Sequence, residues 1–448
     1  MQDPRSPPEA GDTTVTPLPN GARVVTLRLP HLATASVSIF VRSGSQHESR
    51  RLNGISHFAE HMAFKGTLER DCQRINLDAE RLGAEVNAHT DKDHTAYHMA
   101  GRAEHAERFL QMLADIVLQG SYPEAELERE REVILQEYLE DEDDALATAF
   151  KLFDKSCYGE HAIAQPVIGT RRNIERFSRD ELLGYVQRQY TAANLVVGVA
   201  GNIDPERIVR AAQALFGAMP AGTANLVEAP AYAGGWKTRR MAGSGQSHVV
   251  LGYPIPTARQ DYVPAMVAAA LFGEGMSSPL LDQIRERRGL VYYAACSADV
   301  MELSGQFVIE ASTTPEHLDE FFVEAMRLLA EHTERIDPVG LERARNQIAV
   351  RSLRAQERPS RRLEAAALDL FIHGRVRAPE ELMARVDAVS ADQVRGAFAQ
   401  MLAAPAAVAV AGKLGKGSAE RVQALVAAPL SSLGAGVPAA RELPAPAG

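Results

Sequence analysis

Two stretches, "DAERLGAEVNAHT" at residues 78–90 and "IRERRGLVYYAACS" at residues 284–297, follow one plan. Each leaves the charged end of a helix, passes a glycine (Gly83 or Gly289) and enters a strand. The likeness extends outward in both directions. Upstream, "ASVSIFVRSGS" (35–45) alternates as a strand and "SHVVLGYPIP" (247–256) answers it. A helix around 53–66 is answered by "PAMVAAALFGEG" (264–275). Downstream, "LEREREVILQ" (127–136) pairs with "LERARNQIAV" (341–350), and "LVVGVAGNI" (195–203) with "AAVAVAGKL" (406–414). The expected fold class is therefore α+β, with two duplicated domains, each a mostly antiparallel sheet packed against helices. The expected bounds are 15–218 and 239–426. They are joined by a Gly/Pro/Ala-rich linker at 219–238 and flanked by disordered ends at 1–14 and 427–448.

Composition narrows the function classes. The 448 residues are 46% hydrophobic and 24% charged, as in a soluble globular protein long enough for two cores. A formal net charge of −10 provides no basic excess for phosphates and argues against nucleic acid as the partner. The N-terminus lacks the basic start and apolar core of a secretory signal, and no run of about 18 apolar residues suggests a membrane span. Cys72, Cys157 and Cys296 are too few and too scattered for a disulfide framework. Only seven of the 48 basic residues are lysine, the usage of a GC-rich bacterial genome. A bacterial cytoplasmic location is the expectation.

The stretch His57-Phe58-Ala59-Glu60-His61 carries the chemistry. On a helix, His57 and His61 lie one turn apart and face the same way. Two neutral imidazoles at that spacing can hold one Zn²⁺, and Glu60 on their face is a candidate general base. Five residues of this kind also arise by chance, so the motif needs support from elsewhere. Glu130 and Glu137, seven apart on a predicted helix, could supply a third ligand. Yet residues 124–144 hold eleven acids and two arginines, and a solvated charge run is the ordinary meaning of such a segment. The repeat favours a site: opposite His57, Glu60 and His61 the second copy offers only apolar residues, and opposite Glu130 and Glu137 it places Ala344 and Arg351.

"GISHFAEHMAFKGT" (54–67), followed by "EREREVILQEY" (128–138), resembles the pitrilysin/insulinase family of zinc peptidases, in its bacterial branch similar to the mitochondrial processing peptidase. The resemblance runs from about residue 15 to 425. It implies that His57, His61 and Glu137 bind one zinc per chain, that Glu60 is the base, and that Glu130 orients a ligand or the water. "EVNAHT" resembles the family's edge strand, which places Asn87 and Ala88 beside a substrate backbone held by strand addition. "RERRGLVY" resembles a segment that implies roles for Arg285 and Tyr292 in holding substrate and stabilising its oxyanion. "FGEGMSSPL" resembles a loop leading into a helix and lacks the lysine of a phosphate loop. The resemblance further implies that the chain forms one half of a clamshell around a chamber. With both residue sets intact, a homodimer is expected and a heterodimer stays open.

One departure bears on specificity. Processing peptidases carry acids ten and fourteen positions after the third ligand, where this chain has Ala147 and Lys151. A broader endopeptidase for peptides or unfolded segments is therefore expected, without strict arginine preference. Two alternatives stand beside it: a non-catalytic or partner-dependent subunit of a peptidase complex, and a metal hydrolase acting on something other than peptides.

Overall fold

A computed structural model of the protein describes residues 12–427. The tail from 428 onward and residues 1–11 lie outside the described range. The chain divides into two compact units.

The first sheet contains β1 (Thr13–Pro17), β2 (Arg23–Arg28), β3 (Thr34–Val41), β4 (Glu85–Thr90), β5 (Thr95–Arg102) and β6 (Leu195–Gly201). Their order across the sheet is β1-β2-β6-β3-β5-β4. β1 begins inside the stretch expected to be disordered, because Thr13 to Pro17 pair antiparallel with β2. The second sheet contains β7 (Gly235–Arg240), β8 (Ser247–Pro254), β9 (Val291–Val300), β10 (Gly305–Thr313) and β11 (Ala407–Gly412). Its order, β7-β11-β8-β10-β9, repeats that of β2-β6-β3-β5-β4. In each sheet one neighbouring pair, β2–β6 or β7–β11, runs parallel and the rest run antiparallel. The duplicated α+β architecture read from the sequence is the one observed.

Both inner strands, LVVGVAG in β6 and AVAVAG in β11, are buried along their whole length. A strand apolar on both faces needs a helical layer on each side. On the first sheet one face packs under α3 (Ala106–Leu118) and the helix Pro205–Phe216, which follow α1 (Ile55–Ala63) and α2 (Cys72–Arg81) in the chain. The other face is covered by Leu363, Ala366, Ala367 and Leu370 of the helix Pro359–His373. On the second sheet, the face bearing Val250, Ala407 and Ala409 is covered by Ala149, Phe153 and Cys157. Those three belong to α5 (Ala145–Tyr158), which directly follows α4 (Glu124–Asp143).

The units are therefore not separated by one cut at 219–238. Within the described residues, the first comprises 12–139, 165–228 and 353–381, and the second comprises 140–164, 229–352 and 382–427. Each sheet takes the helix for its second face from the other half of the sequence. At the far end the helix Ser418–Ala427 runs one residue past the expected domain limit. Among the described residues, no helix is long and apolar enough to cross a membrane.

Candidate metal centre

In α1 the buried residues Ile55, Phe58, Ala59 and Met62 follow the spacing of one helix face. They pack with Leu127 and Ile134 of α4 and with Ile174, Phe177, Leu182 and Tyr185. The same spacing leaves His57, Glu60 and His61 on the other side. In α4, Glu130 and Glu137 continue the stripe begun by Leu127 and Ile134, so packing of the apolar positions carries both carboxylates toward the histidines. Glu130 is only 6% exposed, which separates it from the solvated acids around it.

The N-terminus of α1 is held by a residue the sequence did not single out. Glu48 Oε2 accepts from the backbone N–H of Gly54 at 2.8 Å and from Asn53 Nδ2 at 3.0 Å, and Oε1 accepts from Ser56 N–H at 2.8 Å. Carboxyl oxygens here accept from N–H groups that the helix leaves open. Gly54 itself has φ +97°, and a Cβ there would lie 2.8 Å from the Gly169 backbone. Only glycine fits that position. Complete burial pushes the Glu48 pKa up to about 7, against the pull of its donors.

Because the folded pKa lies above the unfolded one, this group's stabilising contribution is full below about pH 4.5 and is lost as pH rises through about 7. Glu48→Gln does not titrate. The excess of the wild-type Tm over that of Glu48→Gln should therefore shrink between about pH 5 and about pH 8. An excess independent of pH in thermal melts would refute the assignment.

Around the histidines the geometry converges. Glu137 Oε2 lies 3.7 Å from His57 Nε2 and 3.6 Å from His61 Nε2, and the two rings are 4.6 Å apart. His61 Nδ1 meets Glu130 Oε2 at 3.1 Å, and Lys65 Nζ holds Glu130 Oε1 at 2.6 Å. With Nδ1–H donated to Glu130, His61 presents the lone pair of Nε2. His57 Nδ1 is buried without a partner, so its ring too acts through Nε2. Burial, reinforced by His61, holds the His57 pKa down at about 3, which keeps that imidazole neutral. Burial alone would lower His61, but Glu130, Glu137 and Glu60 together raise it. Burial would raise Glu130, but its bonds from His61 and Lys65 hold it below the usual carboxylate range. Two imidazole nitrogens and one carboxylate oxygen aimed at a common point fit a zinc ion with a fourth position open.

Glu60 stands outside that triangle. Its Oε2 accepts from Thr90 Oγ1 at 2.7 Å. Burial raises its pKa, Thr90 and His61 pull it down, and Glu137 pushes it up, with a net rise. A raised pKa makes this carboxylate a stronger base toward a proton of a nearby water. In the second unit the helix Val263–Gly273 is apolar throughout, and Arg351 pairs with Glu274 at 2.7 Å. Among the described residues, no group of metal-ligating side chains gathers there.

Asn87 and Ala88 lie on β4, which is an edge of its sheet. The N–H of Ala88 is bonded to Asn87 Oδ1 at 2.8 Å, so a peptide adding to this edge must displace that bond. Arg285 lies in a π-helical segment, Leu280–Glu286, and its Nη1 approaches Met276 Sδ at 3.8 Å. Tyr292 is on β9, the edge of the second sheet. Ser312 pairs with Tyr293 and Thr313 with Val291, so Tyr292 is the extra residue of a bulge. This explains why its ring is 80% exposed. At the two positions where processing peptidases carry acids, Lys151 is engaged with Asp141 and Glu142 at 2.7 and 2.6 Å.

Residues 23–171, which include His57, Glu60, His61, Glu130 and Glu137, match the family model described as "Insulinase (Peptidase family M16)". Residues 176–348 match "Peptidase M16 inactive domain". A Rickettsia felis protein named "uncharacterized zinc protease" is 30% identical over 383 residues, 85% of this chain and 92% of its own length. A Bacillus subtilis protein of similar name is 29% identical over 394 residues, 87% and 96% of the two chains. Among solved structures, a peptidase M16 inactive domain from Pseudomonas fluorescens superposes with TM-score 0.82 at 20% identity, covering 90% of this chain and 99% of its own. A protease from Helicobacter pylori superposes with TM-score 0.81 at 18% identity, covering 90% and 99%.

Proposed function

Since the chain belongs to the insulinase family of peptidases, family M16, we propose that it is a zinc-dependent endopeptidase acting on peptides or unfolded polypeptide segments. The observation that carries this reading is the convergence of His57 Nε2, His61 Nε2 and Glu137 Oε2, with the Glu60 carboxylate beside them and outside the ligand set. The ion these three residues would hold supplies a Lewis acid for the scissile carbonyl.

The remaining steps belong to the chain's own groups. The edge of β4 receives an extended segment as an added strand, with Asn87 and Ala88 against its backbone. Glu60 takes a proton from the attacking water and returns one to the leaving amine, while Thr90 keeps its carboxylate in place. Arg285 and Tyr292 supply donors for the substrate and the developing oxyanion. In this reading the protein works as a homodimer, in which each subunit lends those two residues to the other's metal centre.

The test is cleavage of a mixed pool of unstructured peptides by the purified chain alone. Zinc-loaded protein should cleave, a chelator should abolish cleavage, and added zinc should restore it. Zinc-loaded protein that leaves every peptide intact would overturn the reading in favour of a scaffold or a partner-dependent subunit.

A further inference from the structure

Behind β4 lies a second cluster of metal-ligating side chains. His89 Nε2 and His94 Nε2 are 3.3 Å apart, and Glu364 Oε1 lies 3.8 Å from the first and 4.0 Å from the second. Two zinc-bound nitrogens at tetrahedral geometry are separated by about 3.3 Å, given bonds of about 2.0–2.1 Å. The histidine pair already stands at that separation. Its convergence on a carboxylate oxygen is comparable to that of His57, His61 and Glu137, at 3.6 and 3.7 Å.

The surroundings also orient the ligands. Asp93 Oδ1 accepts from His94 Nδ1 at 2.6 Å, which leaves the lone pair on Nε2 and reproduces the Glu130–His61 arrangement. His89 Nδ1 meets His98 Nε2 at 3.0 Å, and His98 Nδ1 meets Ser38 Oγ at 2.8 Å. When His89 gives Nε2 to a cation, its proton moves to Nδ1 and is received by His98, so neither ring must lose a proton. Arg361 holds the other oxygen of Glu364 at 2.8 Å and turns Oε1 toward the histidines. His94 is 3% exposed, whereas His89 is open enough to admit an ion. The answering hairpin of the second unit, β9–β10, contains no histidine.

We propose that His89, His94 and Glu364 form a second site for a zinc-like divalent cation. Side chains alternate along a strand, so His89 points to the face opposite Thr90, the residue that holds Glu60. A cation there ties the β4–β5 turn to the helix Pro359–His373. It thereby fixes the edge strand from behind without touching the catalytic centre.

The test counts zinc in the full chain after equilibration with micromolar Zn²⁺ and gel filtration. Wild type should hold two ions per chain, and His57→Ala/His61→Ala should hold one. Adding Glu364→Gln to that double variant, with its fold checked by circular dichroism, should remove the remaining ion. In the double variant, zinc should also slow amide exchange in residues 85–98. The proposal is overturned by a single ion in wild type that disappears with His57 and His61. It is equally overturned by a second ion that survives both Glu364→Gln and His94→Gln. Because the background lacks the catalytic ligands, neither outcome depends on whether the protein cleaves peptides.

Discussion

Glu60→Gln is expected to retain zinc at the wild-type level and to lose at least about 10³-fold in kcat, within the range for removal of a general base. Zinc is retained because Glu60 is not among the converging ligands; its Oε2 is held by Thr90 at 2.7 Å instead. Glutamine has nearly the same shape and can still accept the Thr90 hydroxyl through its carbonyl oxygen. What it lacks is a carboxylate that can carry a proton. Metal content, read together with peptide turnover, separates this role from that of a ligand. Loss of zinc in the variant would move Glu60 into the ligand set, and wild-type turnover would place the base elsewhere.

Most of the fold was legible because its signals are local. The glycine-to-strand passages at Gly83 and Gly289, and the apolar runs of β6 and β11, recur at matching places. The two sheets accordingly share one strand order. Local periodicity does not say which sheet a helix covers. The amphipathic α5 and the helix Pro359–His373 each serve the sheet of the other half, and a reading along the chain assigned both to their own.

The site divides in the same way. His57, Glu60 and His61 share one helical turn and were visible as letters. Glu130 was hidden in a charge run, and only the packing of Leu127 and Ile134 against α1 shows why it is buried. Glu48 gave no signal, because the loop that brings it to Gly54 and Ser56 has no period. The bulge that turns Tyr292 outward depends on the register between β9 and β10, which no single strand encodes. Glu364 lies far in sequence from the histidines it faces, and nothing short of the fold connects them.

Glu130→Ala is expected to weaken zinc binding by about 10–100-fold while leaving kcat near the wild-type value once zinc is saturating. The reason lies in the His61 ring. Its Nδ1–H is received by Glu130 at 3.1 Å, which fixes both the orientation of the imidazole and the nitrogen left free. Without that acceptor the ring can rotate or carry its proton on Nε2, and each such state must be undone before a cation binds. Lys65, at 2.6 Å from Glu130, would also be left with its charge unpaired beside the site, adding repulsion for any cation. Glu130→Gln keeps an oxygen for His61 and removes only the charge, so its loss of affinity should be the smaller. Competition with a chelator of known affinity measures both. If affinity holds in Glu130→Ala while kcat falls, Glu130 acts on the substrate or the water rather than through His61. A positioning residue would then have to be counted among the catalytic ones.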